Sequence, residues 1–146
     1  MPQRDYILRM IEQLGQALIR VRKMILGELP ATGRVDDELR QVGRRAGVDL
    51  DVARVATPET LGLLVAPTGA PDPGRCWVLA EMLYLDALAA EAEGRVPAAL
   101  ASYDKAARLF RLIEPAGAFL TGWPEAAERL REIEGRALAL LEGTGA

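Results

Sequence analysis

The sequence predicts an all-α protein: a helical bundle with a long N-terminal helix and a helix-turn-helix in its C-terminal part. Three observations predict it. Half of the residues are hydrophobic but only 5% are aromatic, so Ala and Leu carry the core, which favours close helix packing over a sheet. Few windows alternate apolar and polar residues with period two, as half-buried strands do. Apolar residues instead recur at spacings of three and four, between hydroxyl, Pro and Gly residues that start and stop helices.

At 146 residues the chain has the length of one domain and can bury a real core. The expected organisation is an N-terminal helical module over residues 1–66, a Pro/Gly loop over 67–74, and a hairpin plus final helix over 75–146. Together they form one compact unit.

The first helix is expected from about Gln3 to Leu26. Ile7, Ile11, Leu14, Leu18, Val21 and Ile25 are spaced 4-3-4-3-4 and form a heptad seam, opposite a polar stripe that includes Gln16, Arg20 and Lys23. Of the flanking positions Leu8, Met10, Gly15, Ala17, Arg22 and Met24, only Arg22 is charged, whereas a two-stranded coil favours charge there. The apolar face is therefore wide. A helix of this length spans about 36 Å, long for one small subunit to cover, so the seam is expected to self-associate.

After the turn Gly27–Gly33, a short helix is expected from Val35 to Arg45, stopped by a left-handed Gly47. Leu50–Val55 reads as another short helical stretch. Thr57-Pro58-Glu59 is a start signal: a hydroxyl cap, Pro at the first helical position and an acid at the positive helix end. That helix should end near Val65. Three Pro and two Gly within Ala66–Gly74 mark the strongest break in the chain.

Three helices should follow. Helix A, Gly74–Glu93, turns Trp77, Ala80, Tyr84, Ala87 and Leu88 inward and leaves an outer face for partner contact. Helix B, Pro97–Ile113, buries Ala99, Tyr103, Ala106, Phe110 and Ile113. Helix C, Pro124–Leu141, buries Ala126, Leu130, Ile133, Ala137 and Leu141, with Glu125–Arg129 and Glu132–Arg136 as modest pairs on an exposed face.

Gly94, Ala99, Tyr103 and Ala106 hold a recurrent spacing. Gly accepts the positive φ of a turn, small Ala residues let two helices approach, and the aromatic fills the gap between them. Over about residues 80–113 this pattern resembles one tetratricopeptide repeat. The resemblance implies an antiparallel hairpin and a role in holding other proteins. Leu83, Asp86, Ala87 and Ala90 stand where that repeat sets an aromatic, Leu, Gly and Tyr. Gly122 and Ala127 repeat the spacing of Gly94 and Ala99, so helix C could begin a second copy or cap the first. The opening Arg4–Leu14 also resembles the start of a small family of uncharacterised bacterial proteins with repeat-like C-termini. The Ala, Gly, Arg and Pro richness suits a GC-rich bacterial genome.

Several chemistries lack their residues. There is no His, one Cys (Cys76) and one Ser (Ser102), so no His-based triad and no Cys/His zinc site can be built. Ser102 lies among repeat-packing positions, and Cys76 reads as a small, partly buried residue. Asp36-Asp37-Glu38 and the Asp49/Asp51 pair lack calcium-loop spacing and read as solvated acids, the first at a helix N-terminus. No Gly-rich loop follows a strand, so no nucleotide fingerprint exists. No catalytic, metal or cofactor residue is therefore assigned, and no cofactor is expected.

The net charge is −3, which gives no bulk attraction to nucleic acid. Arg40, Arg44 and Arg45 form a local basic patch that could hold phosphate. No run approaches a membrane span, and no secretory leader is visible, so a cytoplasmic protein is expected. The leading expectation is a non-enzymatic interaction or self-assembly module, a homodimer or larger, with an unidentified protein partner and no nucleic acid. Alternatives are a peripheral membrane binder through helix 1, a phosphate or nucleic-acid binder through helix 1 or Arg40/Arg44/Arg45, and a carboxylate-only enzyme.

Overall fold

The computed structural model describes residues 2–28, 35–66, 73–113 and 126–144; the side chains of residues 2–11, Leu14, Pro73 and Thr144 lie outside that description. Among the described residues there are seven helices and no strand: α1 Pro2–Ile25, α2 Val35–Ala46, α3 Leu50–Val55, α4 Pro58–Val65, α5 Pro73–Ala92, α6 Val96–Ile113 and α7 Ala126–Thr144. The protein is an all-α bundle.

Local chemistry sets the boundaries. The Asp49 carboxylate caps α3 by accepting from Asp51 N at 2.9 Å and Val52 N at 3.3 Å. Thr57 caps α4, its hydroxyl accepting from Thr60 N at 3.2 Å, with Pro58 at the first helical position. Both satisfy amides that a helix start leaves open. At the end of α5, Gly94 has φ +76°; its N–H reaches Glu91 O, and Arg95 N–H reaches Ala90 O at 2.9 Å. This double closure turns the chain sharply into α6. Gly74 belongs to α5, as expected of helix A, and so does Pro73, expected in the preceding loop.

The α5–α6 hairpin is the centre of the molecule. Ala99, Tyr103, Ala106, Phe110 and Ile113 face inward and are buried. The Tyr84 and Tyr103 rings meet across the hairpin, centroids 6.3 Å apart and tilted by 49°, an arrangement that aromatic quadrupoles favour.

Helix α5 has no outer face over most of its length: every residue from Cys76 to Leu88 is buried. From Cys76 to Leu88, helix A has none of the exposed face expected for partner contact. Helices α1, α2, α3, α4 and α6 all pack against α5, and α7 reaches it through side chains. A helix surrounded in this way must be apolar all round. Its acids Glu81 and Asp86 are carried inside with partners.

One continuous hydrophobic core joins both parts of the chain. Leu18 and Val21 of α1, Leu39 and Val42 of α2, Leu61 and Val65 of α4, and the α5–α6 side chains belong to it. The three described side chains of the heptad seam, Leu18, Val21 and Ile25, thus pack within the subunit rather than awaiting a second chain. Ile7, Ile11 and Leu14 lie outside the described side chains. In α7, Ala126 and Ile133 are buried and Leu130 and Leu140 pack on the core. Leu141, expected inward, is 55% exposed, because the packed stripe runs Ile133–Leu140, seven residues apart, and leaves Leu141 about 100° out of phase.

Candidate interaction surface

Two polar networks tie the bundle together. The first joins α7 to α5 and α1. Arg129 gives its Nε and Nη2 hydrogens to the two carboxylate oxygens of Glu81, at 2.7 and 3.3 Å. Its guanidinium also lies 4.7 Å from the Tyr84 ring centre, within cation–π range. Glu132 accepts from the Tyr84 hydroxyl, from Arg22 at 2.8 Å and from Arg129 at 2.9 Å. Arg136 and the Tyr103 hydroxyl both donate to Glu91, at 2.9 and 3.2 Å.

The ladder has a direction. Residues 129, 132 and 136 climb α7 in step with 81, 84 and 91 on α5, so α7 runs parallel to α5. The Glu132–Arg136 pair expected on an exposed face, and Arg129 of the other expected pair, instead form this joint. Glu125 lies outside the described residues.

Electrostatics follow from burial and pairing. Burial pushes the Glu81 carboxyl up, opposed by the charge and hydrogen bonds of Arg129. Burial also acts to raise Glu132, but the Tyr84 hydroxyl, Arg129 and Arg22 outweigh it and hold Glu132 below its usual value. Burial, reinforced by Glu132, raises the Tyr84 hydroxyl to about 12.

The second network locks α2 and α3 to the hairpin. Arg54 bridges Asp36 at 2.9 Å and Asp86, and the Ser102 hydroxyl donates to Asp86 at 2.9 Å. The acid that departs from the repeat pattern at position 86 is thus a buried acceptor for two helices. Lys105 donates to the carbonyl oxygens of Ala53 and Arg54 at the C-terminal end of α3, where a cation meets the negative helix end. Ser102 and Cys76 are both buried; the Cys76 thiol donates to Leu109 O at 3.3 Å.

The basic patch read from the sequence is taken apart by the fold. Arg40 is bound bidentately to Asp51, at 3.1 and 3.2 Å, and also faces Asp36 and Asp37. Its charge is answered locally, as is that of Asp51, which Arg40 holds below its ordinary carboxylate range. Arg40 and Arg44 flank a small cleft of about 160 Å³ with Asp49 and Asp51. Arg45 turns the other way, toward α1.

There Gln13, Gln16, Ile19, Arg20 and Lys23 of α1 and Arg45 of α2 line an open groove of about 550 Å³. Arg20 holds Glu38 at 2.9 Å; Lys23 and Arg45 are exposed. Ile19 is 37% exposed, and Leu26, in the turn just past α1, is 40% exposed. No protein-family model, curated protein or solved structure matches this chain. Helix α1 is therefore read on its own geometry, and it is two-sided. Leu18, Val21 and Met24 fasten it to the core, while the opposite stripe presents amides, cations and Ile19 to the groove.

Sequence reasoning missed this groove because it joins residues about twenty-five positions apart on two helices. The available signal was the polar stripe of α1, Gln16, Arg20 and Lys23, which the sequence offers as the back of a seam or as a membrane- or phosphate-binding face, without its partner on α2. Among the described residues no group of His, Cys, Asp or Glu is placed to hold a metal ion, and no helix is long and apolar enough to cross a membrane.

Proposed function

We propose that the chain is a non-enzymatic interaction or self-assembly module that docks protein through the outward stripe of α1 and the groove it forms with α2. The observation that supports this most is the division of labour along α1. One side of the helix is consumed by the core, and the other carries amides, cations and partly exposed apolar side chains along an open channel rather than an enclosed cavity. Open channels between helices suit extended or helical protein segments, which bind through apolar anchors with polar groups setting the register. The resemblance of α5–α6 to a tetratricopeptide hairpin agrees with this role, with α5–α7 acting as the scaffold that holds α1 in place.

A cytoplasmic setting and a homo-oligomer belong to the same proposal. Its test replaces Ile19 with a photocrosslinking residue, Ile19→benzoylphenylalanine, and compares Arg111→benzoylphenylalanine, on the exposed side of α6, after irradiation in cells. Protein adducts from position 19 that are absent from position 111 support the reading, and their masses separate a second copy from another protein. Equal yields from both positions, or no adduct from either, overturn it.

A further inference from the structure

The α1–α2 groove also points to the chemistry of what it holds. We infer that it receives an acidic segment of another protein, with carboxylates set against Arg20, Lys23 and Arg45 and an apolar side chain against Ile19. This rests on the docking reading above and adds the partner's charge.

Charge complementarity carries the inference. The chain has a net charge of −3, and several of its described cations are tied up: Arg22, Arg40, Arg54, Arg95, Arg108, Arg129 and Arg136 are each committed to carboxylates. In the groove Lys23 and Arg45 have no carboxylate partner among the described residues, and Arg20 spends one amino group on Glu38. No acid is among the described residues that line the channel, and Glu38 reaches it only through Arg20. A positive channel on a negative protein steers anionic partners in and deters others.

The remaining lining narrows the class. Gln13 and Gln16 both donate and accept, which suits a peptide bearing amides and carboxylates. Ile19 and Ala17 supply a strip of apolar floor. A duplex nucleic acid or an anionic bilayer favours an uninterrupted cationic face. Here Glu38 on α2 interrupts the cations by pairing with Arg20, which fits a narrow protein segment better. From Gln13 to Lys23 the channel follows about 15 Å of helix, room for about three turns of an amphipathic partner.

The probe is a repeating Glu-Leu-Ala-Glu peptide of about sixteen residues, about 24 Å as a helix, titrated into isotope-labelled protein. Amide shifts confined to α1 and α2 are expected. Lys23→Glu with Arg45→Glu should weaken binding about tenfold or more, and raised salt should weaken it too. Arg111→Glu should leave it unchanged. Circular dichroism of each variant confirms folding, which exposed substitutions preserve.

Shifts centred elsewhere, or no shift at millimolar peptide, overturn the acidic-segment inference while leaving the photocrosslinking result to judge docking itself. Tighter binding of phosphatidylglycerol vesicles or a DNA duplex through the same cations overturns the protein occupant. A homodimer that the Lys23→Glu, Arg45→Glu pair dissociates, seen by light scattering, replaces it with a second copy.

Discussion

Arg129 and Glu81, 48 residues apart, meet in a bidentate ion pair inside the bundle, both less than a tenth exposed. Their pairing sets the height of α7 on α5. Two charges removed from water are tolerated only because each satisfies the other. Arg129→Ala or Glu81→Ala should each lower stability by about 3–5 kcal/mol, because one charge is left buried alone. Glu81→Leu with Arg129→Met should lie much closer to the parent. Urea unfolding followed by circular dichroism measures all three; additive losses in the double variant would refute the pairing.

Glu132 should make the protein acid-sensitive. Its folded value lies below the ordinary 4.5, so the stability it adds is complete above that pH and is lost as pH falls through the depressed folded value. Glu132→Gln should flatten the acid limb of a stability–pH curve. Tyr84 acts at the other end. Its hydroxyl is raised from 10.0 to about 12, so between these values the unfolded chain releases a proton that the folded chain keeps, and stability falls as pH rises. Tyrosinate absorbance should show Tyr84→Phe removing a late component.

Gly43 on α2 is there for space. A Cβ at this position would lie 2.6 Å from the Val48 carbonyl oxygen and 2.9 Å from Met82 Cε. Met82 can swing aside, but the carbonyl belongs to the backbone of the turn that follows α2. Gly43→Ala should cost about 1–3 kcal/mol. Gly62→Ala, in α4 with nothing within 4 Å of the new methyl, should be neutral or stabilising by up to about 1 kcal/mol. Paired thermal melts test the contrast.

Cys76 is wholly buried on α5. A thiol reagent should label it only when the bundle opens, so the labelling rate should track global unfolding across a denaturant series. Rapid labelling in native buffer would show that α5 is reached by local motion instead.

Residues acting through their neighbours in sequence were legible. Thr57-Pro58, Gly47 and the Gly94–Ala106 spacing depend on contacts a few residues away, and the helices they bound appear where the sequence places them. The burial of α5 was not legible from its own pattern. Glu81 and Asp86 look like a solvent face until Arg129, Arg54 and Ser102 arrive from other helices. Arg40, Arg44 and Arg45 are contiguous enough to look like one patch, but Asp51 captures Arg40 while the helix turn sends Arg45 to α1. Period and capping report local geometry; the pairing of distant charges comes only with the topology.

The enclosure of α5 also governs the order in which the protein can be made. Residues 1–66, close to half of the chain, emerge first during synthesis, and the apolar sides of α1, α2 and α4 are shaped to meet a helix that has not yet been translated. Domains generally fold as units as they emerge, but here α1 and α2 can meet each other while their sides that face α5 stay uncovered. Their common surface comes only when residue 92 is free and α5 can pack between them. A break placed between residues 66 and 73 would not release two folding halves; it would leave one fragment lacking its centre and the other lacking its cover.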